Sequence, residues 1–408
     1  MGCIFYLLIL FSNCLEKYLP YINYFDELLV IALFLLVLFK IAVLGAGVAG
    51  LWNRYDNILV VLMAGLLFTG LLSSFFGEEM ISGIGLAKDI MLVSKFFLCY
   101  LCGKLLFVNA DRTRLIDQMR TVTKCSIVFI FVCGVISLFF QMGMGDQVRF
   151  GIRSYQFLYT HYTFLVYAEV VMIGVICAKD ENGNGKYLVM ALCTLLMTLR
   201  TKAVVFGCVC VLFILFEKSG REMKLRHYVM AGGIGLAVAW GKIEEYLSYG
   251  FSYNMRNGLY AAGIKLAAEY FPLGSGFCTF GSNLSYEYNR QIYENIHLSS
   301  YQGFDTGAPV LSDVFWPYIY GQFGITGMII YILMLVMIFY SIKEELRGEN
   351  PARLRGANLI FVYLILASMA EAMFTNNSGV FSAFLLSIYL GRKDADEKPT
   401  SEPCVVRL

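Results

Sequence analysis

Val314-Phe-Trp-Pro-Tyr-Ile-Tyr-Gly-Gln-Phe-Gly-Ile-Thr-Gly-Met-Ile-Ile-Tyr-Ile-Leu-Met-Leu-Val-Met-Ile-Phe-Tyr-Ser341 runs for 28 positions without one charged residue. A helix needs about 20 predominantly apolar residues to cross the hydrocarbon core of a bilayer. Working outward from this run, comparable stretches fall at approximately 3–19, 27–45, 56–74, 87–107, 124–142, 157–178, 186–200, 202–217, 227–242, 357–374 and 376–391. Those at 186–200 and 202–217 are short, and Glu16 and Lys17 interrupt the first. The apolar runs are continuous rather than alternating, which favours helices over a transmembrane β-barrel. The expectation is an all-α polytopic membrane protein with about 12 transmembrane helices.

Composition excludes the soluble alternatives. Of the 408 residues, 58% are hydrophobic and 15% charged, against about 25% charged in an average soluble chain. Mean hydropathy is +0.66. A net charge of +2 gives no electrostatic footprint for nucleic acid. Eleven of the 12 cysteines lie in or beside apolar runs or in the tail, so Cys278 in the one long polar segment has no disulfide partner there. Cys99-x-x-Cys102 has redox or zinc spacing but sits inside an apolar run with no second pair. Residues Met1 to Leu10 lack a basic leader and a small-residue cleavage site, and read as a first membrane helix rather than a signal peptide.

Loop charges give an orientation. The set of loops that includes 108–123, 179–186, 218–226, 342–356 and the tail carries 19 Lys and Arg; the alternate set carries 9. By the positive-inside rule the first set is cytoplasmic. Both termini are then inside. The chain divides into membrane helices 1–9 over 1–242, a large extracytoplasmic loop over 243–313, helices 10–12 over 314–391 and a cytoplasmic tail over 392–408. The loop is too long for an ordinary connection and is expected to be functional. It is rich in Tyr and Phe, among them Tyr246, Tyr249, Tyr260, Tyr286, Tyr288 and Tyr293. Asn254 to Tyr270 reads as a short helix within it, ended by Pro272, with a tight turn at Gly274-x-Gly276.

Few cations face outward, so each carries information. Arg200 and Lys202 lie between two short apolar runs, in a tight hairpin at membrane depth, where charges are costly and mark a site unless they snorkel to the interface. Arg149 and Arg153 flank a Gly-containing outer loop, and Arg256 opens the loop helix. Guanidinium forks match phosphate oxygens, so these five cations are candidates to clamp a pyrophosphate. Asp313 stands where the loop re-enters the membrane, beside Trp316. A partly desolvated carboxylate there is a candidate general base, a role compatible with capping the next helix. His161, His227 and His297 have no metal-ligand spacing, and no Walker motif, Gly-x-Ser-x-Gly or paired acidic metal site is present. Gly45-x-Gly47-x-x-Gly50 matches a dinucleotide pattern by letters only, with no strand before it. No cofactor and no metal is expected.

Three strings, in order, resemble the bacterial O-antigen polymerase and ligase superfamily. They are Thr198-Leu-Arg200-Thr201-Lys202-Ala203; Pro272-Leu-Gly274-Ser-Gly276-Phe-Cys-Thr279-Phe280-Gly281, preceded by Arg256; and Ser312-Asp313-Val-Phe315-Trp316 leading to Gly324-Ile-Thr-Gly327. The resemblance implies a GT-C-like membrane fold and a metal-independent, inverting glycosyltransferase. Such enzymes use lipid-linked oligosaccharides at the outer face of the bacterial cytoplasmic membrane. The partners it implies are polyprenyl-pyrophosphate-linked oligosaccharides and the bilayer, with a chain-length regulator and a flippase as further candidates. Arg256 falls on the family's loop arginine. Lys202 falls where a hairpin arginine is expected, which leaves open whether Arg200 takes that role. The ligase branch carries a His at the loop-to-helix junction where this chain has Asp313, and that departure favours the polymerase branch. The substrate is then a polysaccharide repeat unit of an O-antigen, capsule or exopolysaccharide. Arg256, Lys202, Arg200 and Arg153 would hold the pyrophosphate and Asp313 would take the acceptor proton. An O-antigen ligase and a polysaccharide transporter remain as alternatives; a transporter would carry internal repeats, and none is visible.

Overall fold

Apolar segments this long must satisfy their backbone internally, and the chain does so by helices. The computed structural model describes residues 2–16, 18–44, 52–77, 82–107, 110–140, 142–145, 147–149, 151–218, 233, 255–296, 298, 311, 314–346 and 351–390. Eight helices form the first part: α1 (Gly2–Leu15), α2 (Phe25–Leu44), α3 (Arg54–Phe76), α4 (Gly83–Leu106), α5 (Arg112–Phe139), α6 (Tyr162–Cys177), α7 (Asn184–Met197) and α8 (Thr201–Lys218). Three more helices follow, α9 (Met255–Glu269), α10 (Asn283–Tyr288) and α11 (Arg290–Asn295). The chain ends with α12 (Trp316–Leu346), α13 (Pro351–Ser368) and α14 (Asn377–Tyr389). The only sheet among the described residues is a two-stranded hairpin, β1 (Val148–Arg149) and β2 (Ile152–Arg153).

Eleven of the expected apolar runs coincide with helices, while the run at 227–242 lies outside the described residues. Three helices, α3, α5 and α12, are long and apolar enough to cross a membrane. Polar residues set the helix starts. Asn53 accepts from the N–H groups of Tyr55 and Asp56 while Asp56 accepts from the Asn53 N–H, a reciprocal cap on α3. Asp111 caps α5 by accepting from the Arg114 N–H, and Asn376 caps α14 by accepting from the Gly379 N–H. Asn254, where the short loop helix is expected to begin, lies outside the described residues.

Charges inside the bundle are paired, as a low-dielectric interior requires. Lys104 of α4 lies 2.5 Å from Asp56 of α3 and also pairs with Glu345 of α12, with Ser341 donating to Asp56 at 2.7 Å. Lys95 lies 2.5 Å from Asp26 of α2. Arg120 reaches Glu181 at 2.5 Å, and Arg355 reaches Asp180 at 2.5 Å. One buried carboxylate differs: Glu169 of α6 has no hydrogen-bond partner for either oxygen among the described residues.

Part of the segment expected to form the large outer loop packs into the helix bundle. Residues 274–282 are buried, wedged between α3, α4 and α12. Their backbone is satisfied by protein. Ser275 and Gly276 donate to the carbonyls of Gly321 and Gln322 at 3.0 and 2.8 Å. Ser74 Oγ accepts from the Phe277 N–H at 2.9 Å, and Ser73 donates to the Gly274 carbonyl. Asp89 of α4 accepts from the Cys278 N–H at 2.7 Å and from the Tyr318 hydroxyl at 3.0 Å. Gln322 accepts from the same Cys278 N–H and donates to the Phe280 carbonyl at 2.6 Å.

The insertion breaks α12. Gly324 has φ 64° and ψ −165° inside that helix, so the expected single span is two helical pieces joined at Gly324. There the two backbones touch: a Cβ on Gly324 would lie 2.2 Å from the Pro272 carbonyl oxygen, and one on Gly274 would lie 2.3 Å from the Gly324 nitrogen. Only glycine fits both the positive φ and the approach. Gly324→Ala should therefore cost about 3 kcal/mol or more, combining left-handed strain with overpacking against backbone. Gly65→Ala, whose Cβ meets nothing nearer than 3.9 Å, should be neutral or slightly stabilising in α3. Thermal unfolding of the two purified variants against wild type measures the difference, and equal melting temperatures would contradict the interlock.

Candidate functional site

The α7–α8 connection is three residues long, and its geometry places two cations at one end of the bundle. Thr198 closes α7, its hydroxyl donating to the Leu195 carbonyl at 2.7 Å. Leu199 takes a positive φ of 51°, which turns the chain sharply before α8 starts at Thr201. Arg200 is left at the tip. Its guanidinium lies 4.4 Å above the Tyr162 ring and donates to Gln147 Oε1 at 3.1 Å. Desolvation, with the neighbouring positive charge of Arg149 second, lowers the Arg200 pKa from its usual value. Two residues on, Lys202 Nζ forms an ion pair with Glu371 in the turn between α13 and α14.

Arg256 arrives from a distant part of the sequence. It sits in the first turn of α9, a helix that packs on α12. Tyr260, one turn further, donates to the Met369 carbonyl at 3.0 Å, two residues before Glu371. The Tyr320 hydroxyl of α12 donates to the Tyr260 carbonyl at 2.9 Å and fixes α9 along its length. Arg200 and Arg256 both lie close enough to Lys202 for their charges to act on it. Among the described residues, Arg200, Lys202 and Arg256 thus lie near one another, with Arg149 near Arg200 and Glu371 paired to Lys202. Cations brought together in this way suit an anion with several oxygens, such as a phosphate or diphosphate.

The other candidates fall differently. Arg153 pairs across the hairpin with Val148, whereas Arg149 pairs with Ile152. Cross-strand partners share a face, so Arg153 projects from the opposite face to Arg149. Asp313 lies outside the described residues, as do Ser312, His297 and the tyrosines at 246 and 249; Leu311 and Val314, on either side of Asp313, are buried. His161 caps α6, accepting from the Thr163 N–H. The loop aromatics divide: Tyr293 and Phe280 stack at 5.7 Å in a small buried cluster with Leu259 and Leu266, and serve packing. Tyr286 and Tyr288 are only half-buried.

Two charged residues at this end were not singled out from sequence. Lys88, at the start of α4, donates to the Tyr288 hydroxyl at 3.0 Å. Glu371 is the partner of Lys202. Both sit inside apolar runs that were read as spans, and a charge within such a run is the signal that would have found them.

No family model matches the chain, and no curated protein matches it.

Cys278 shows how closed the inserted loop is. Its thiol is buried, and its pKa is pushed up to about 12 by desolvation first and then by the charges of Asp89 and Glu287. A raised thiol pKa means that thiolate, the reactive form, is scarce below that pH. Maleimide labelling of the folded protein in detergent should therefore spare Cys278 from pH 7 to 9 and modify the exposed Cys125, while all 12 cysteines react after denaturation. Peptide mass spectrometry reads the outcome; equal labelling of Cys278 and Cys125 in the folded state would show the loop to be open.

Proposed function

We propose that the chain is a polysaccharide repeat-unit polymerase of the O-antigen polymerase and ligase superfamily. It would cross the bacterial cytoplasmic membrane about 12 times, with both termini in the cytoplasm. The observation that carries this reading is the convergence of Arg256 with Arg200 and Lys202, from two segments more than fifty residues apart. Those are the strings on which the family resemblance rests. The orientation has support from the ion pairs. Arg120–Glu181, Lys104–Glu345 and Arg355–Asp180 join segments that the basic-residue count assigns to the cytoplasmic side. Lys202–Glu371 and Arg200–Gln147 join segments assigned to the outer side.

The reaction joins two glycans carried on polyprenyl pyrophosphate. The acceptor hydroxyl oxygen attacks the donor's anomeric carbon as the bond from that carbon to the pyrophosphate oxygen breaks. The electron pair leaves on polyprenyl pyrophosphate, and the anomeric configuration inverts. Arg256, Lys202 and Arg200 neutralise the leaving group in a partly dehydrated site, where fixed cations act most strongly. Asp313 takes the acceptor proton.

Surface glycan from a deletion strain tests the reading. A polymerase mutant shows a single repeat unit in place of a ladder. A strain with no surface glycan, or with an unaltered ladder, would sink the proposal. By analogy with a lost oxyanion donor, removing one such cation costs about 10²–10³ in rate. Arg256→Ala and Lys202→Ala should each abolish long chains at unchanged protein level. Arg290→Ala should be near normal, because that side chain is exposed and paired within its own helix to Glu294 at 3.5 Å. Arg256→Lys should restore little if the phosphate contact is bidentate.

A further inference from the structure

Helix α5 crosses a bilayer with little length to spare. Beyond Lys124 it carries no charge, and positions 125 to 139 make 15 residues. At 1.5 Å per residue that is about 22 Å, against about 30 Å of hydrocarbon. Lys124 can lie nearer the membrane centre only by snorkelling. Helix α5 therefore ends in the far boundary layer and not above it.

The β1–β2 hairpin follows from that end, and its base turns back along α5. The Tyr155 hydroxyl donates to the Ile130 carbonyl at 2.8 Å. A Cβ on Gly134 would meet the Tyr155 ring and the Met197 methyl at 3.0 Å each. The base thus stands level with Gly134, more than a turn below the end of α5. Irregular backbone at that depth must be satisfied by protein. Ser154 donates to the Gln147 carbonyl and Gln156 to the Met144 carbonyl, both at 2.8 Å, and Tyr155 to the Met197 carbonyl at 2.9 Å. The Gln147 N–H donates to the Tyr162 hydroxyl at 3.0 Å.

Ser154, Tyr155, Phe157 and Tyr159 are buried and hold this base to the bundle. The strands present other residues outward. Val148 is 62% exposed and Ile152 53%. Arg153 is exposed, pairs across the hairpin with Val148 and so shares its face. No ion pair to Arg153 is found among the described residues. On α5, Phe129, Val132, Ile136 and Phe139 are exposed at helical spacing, an apolar stripe that runs to the helix end from which the hairpin departs. An aliphatic and a guanidinium on one face, continuous with a lipid-facing stripe, suit a headgroup layer. There the apolar side chains enter the acyl boundary and the charge meets phosphate.

We propose that the β1–β2 hairpin is a lipid-binding element: Val148 and Ile152 enter the acyl boundary of the leaflet in which α5 ends, and Arg153 takes the phosphate of an anionic phospholipid there. The inference needs α5 to cross a bilayer and does not depend on the polymerase reading.

Tryptophan fluorescence of full-length protein in nanodiscs tests it, with wild-type emission subtracted. Val148→Trp and Ile152→Trp add an indole at exposed positions, where it displaces no packing. Both should be quenched by phospholipids brominated near the headgroup end of their chains, less by lipids brominated near the chain ends, and little by aqueous iodide. Asn182→Trp, in the exposed turn between α6 and α7, should be quenched by iodide alone. In mixed bilayers brominated phosphatidylglycerol should quench the indole at position 148 more than the same fraction of brominated phosphatidylcholine. Adding Arg153→Gln should lower that relative association constant about fivefold, the effect of one basic residue at an anionic surface. Quenching at 148 and 152 by iodide and not by lipid would overturn the proposal by placing the hairpin in water. Quenching by neither would overturn it by showing that protein, such as a second copy of the chain, covers the hairpin. Lipid quenching with no preference for phosphatidylglycerol, or with a preference that survives Arg153→Gln, would overturn the phosphate contact.

Discussion

The hydrogen bond from the Cys278 N–H to the Asp89 carboxylate decides whether irregular backbone can exist inside this bundle. Non-helical chain at membrane depth is tolerated only where protein satisfies its polar groups. Asp89 supplies the charge-assisted acceptor, Gln322 works from both ends of its amide, and Ser73 and Ser74 supply two further contacts. Because the loop is seated, the Tyr270–Gly274 turn that leads into it is fixed. The turn fixes the end of α9, and α9 delivers Arg256 to the α7–α8 hairpin. The cation cluster is thus a remote result of a carboxylate in α4.

Much of this was legible in the sequence. Apolar runs of sufficient length became helices because a helix is the cheapest way to pair every peptide group locally. Pro272 and Gly274-x-Gly276 marked the turn, because few other residues adopt those backbone angles: Gly274 and Gly276 have φ of 82° and 95°. The hairpin at Arg200 was readable from two short runs with charges between them. What could not be read was pairing across distance. Nothing local says that Asp89 meets Cys278, or that Lys202 meets Glu371 169 positions away. The break at Gly324 was hidden for a related reason: the run around it is apolar and uncharged, and its backbone departs from helix only because Pro272 presses against it. The β1–β2 hairpin escaped notice because two-residue strands have no detectable alternation.

The division of buried charge follows the division of roles. Lys104, Asp56, Glu345 and Ser341 form a closed network drawn from α3, α4 and α12. Removing one member would strand the others in low dielectric, so the network resists rearrangement. Near the α7–α8 turn the Lys202–Glu371 pair is more exposed.

The contacts of Asp89 span 189 positions to Cys278 and 229 to Tyr318. A ribosome making this chain therefore delivers α4 to the membrane long before either partner exists. During that interval the carboxylate must hold water or another protein against it, because hydrocarbon offers nothing. Amino-terminal and carboxy-terminal halves made as separate polypeptides would each carry an open polar seam. Insertion of this protein is thus completed from its far end: the early helices reach their final environment only when α12 enters and the loop before it folds back between them.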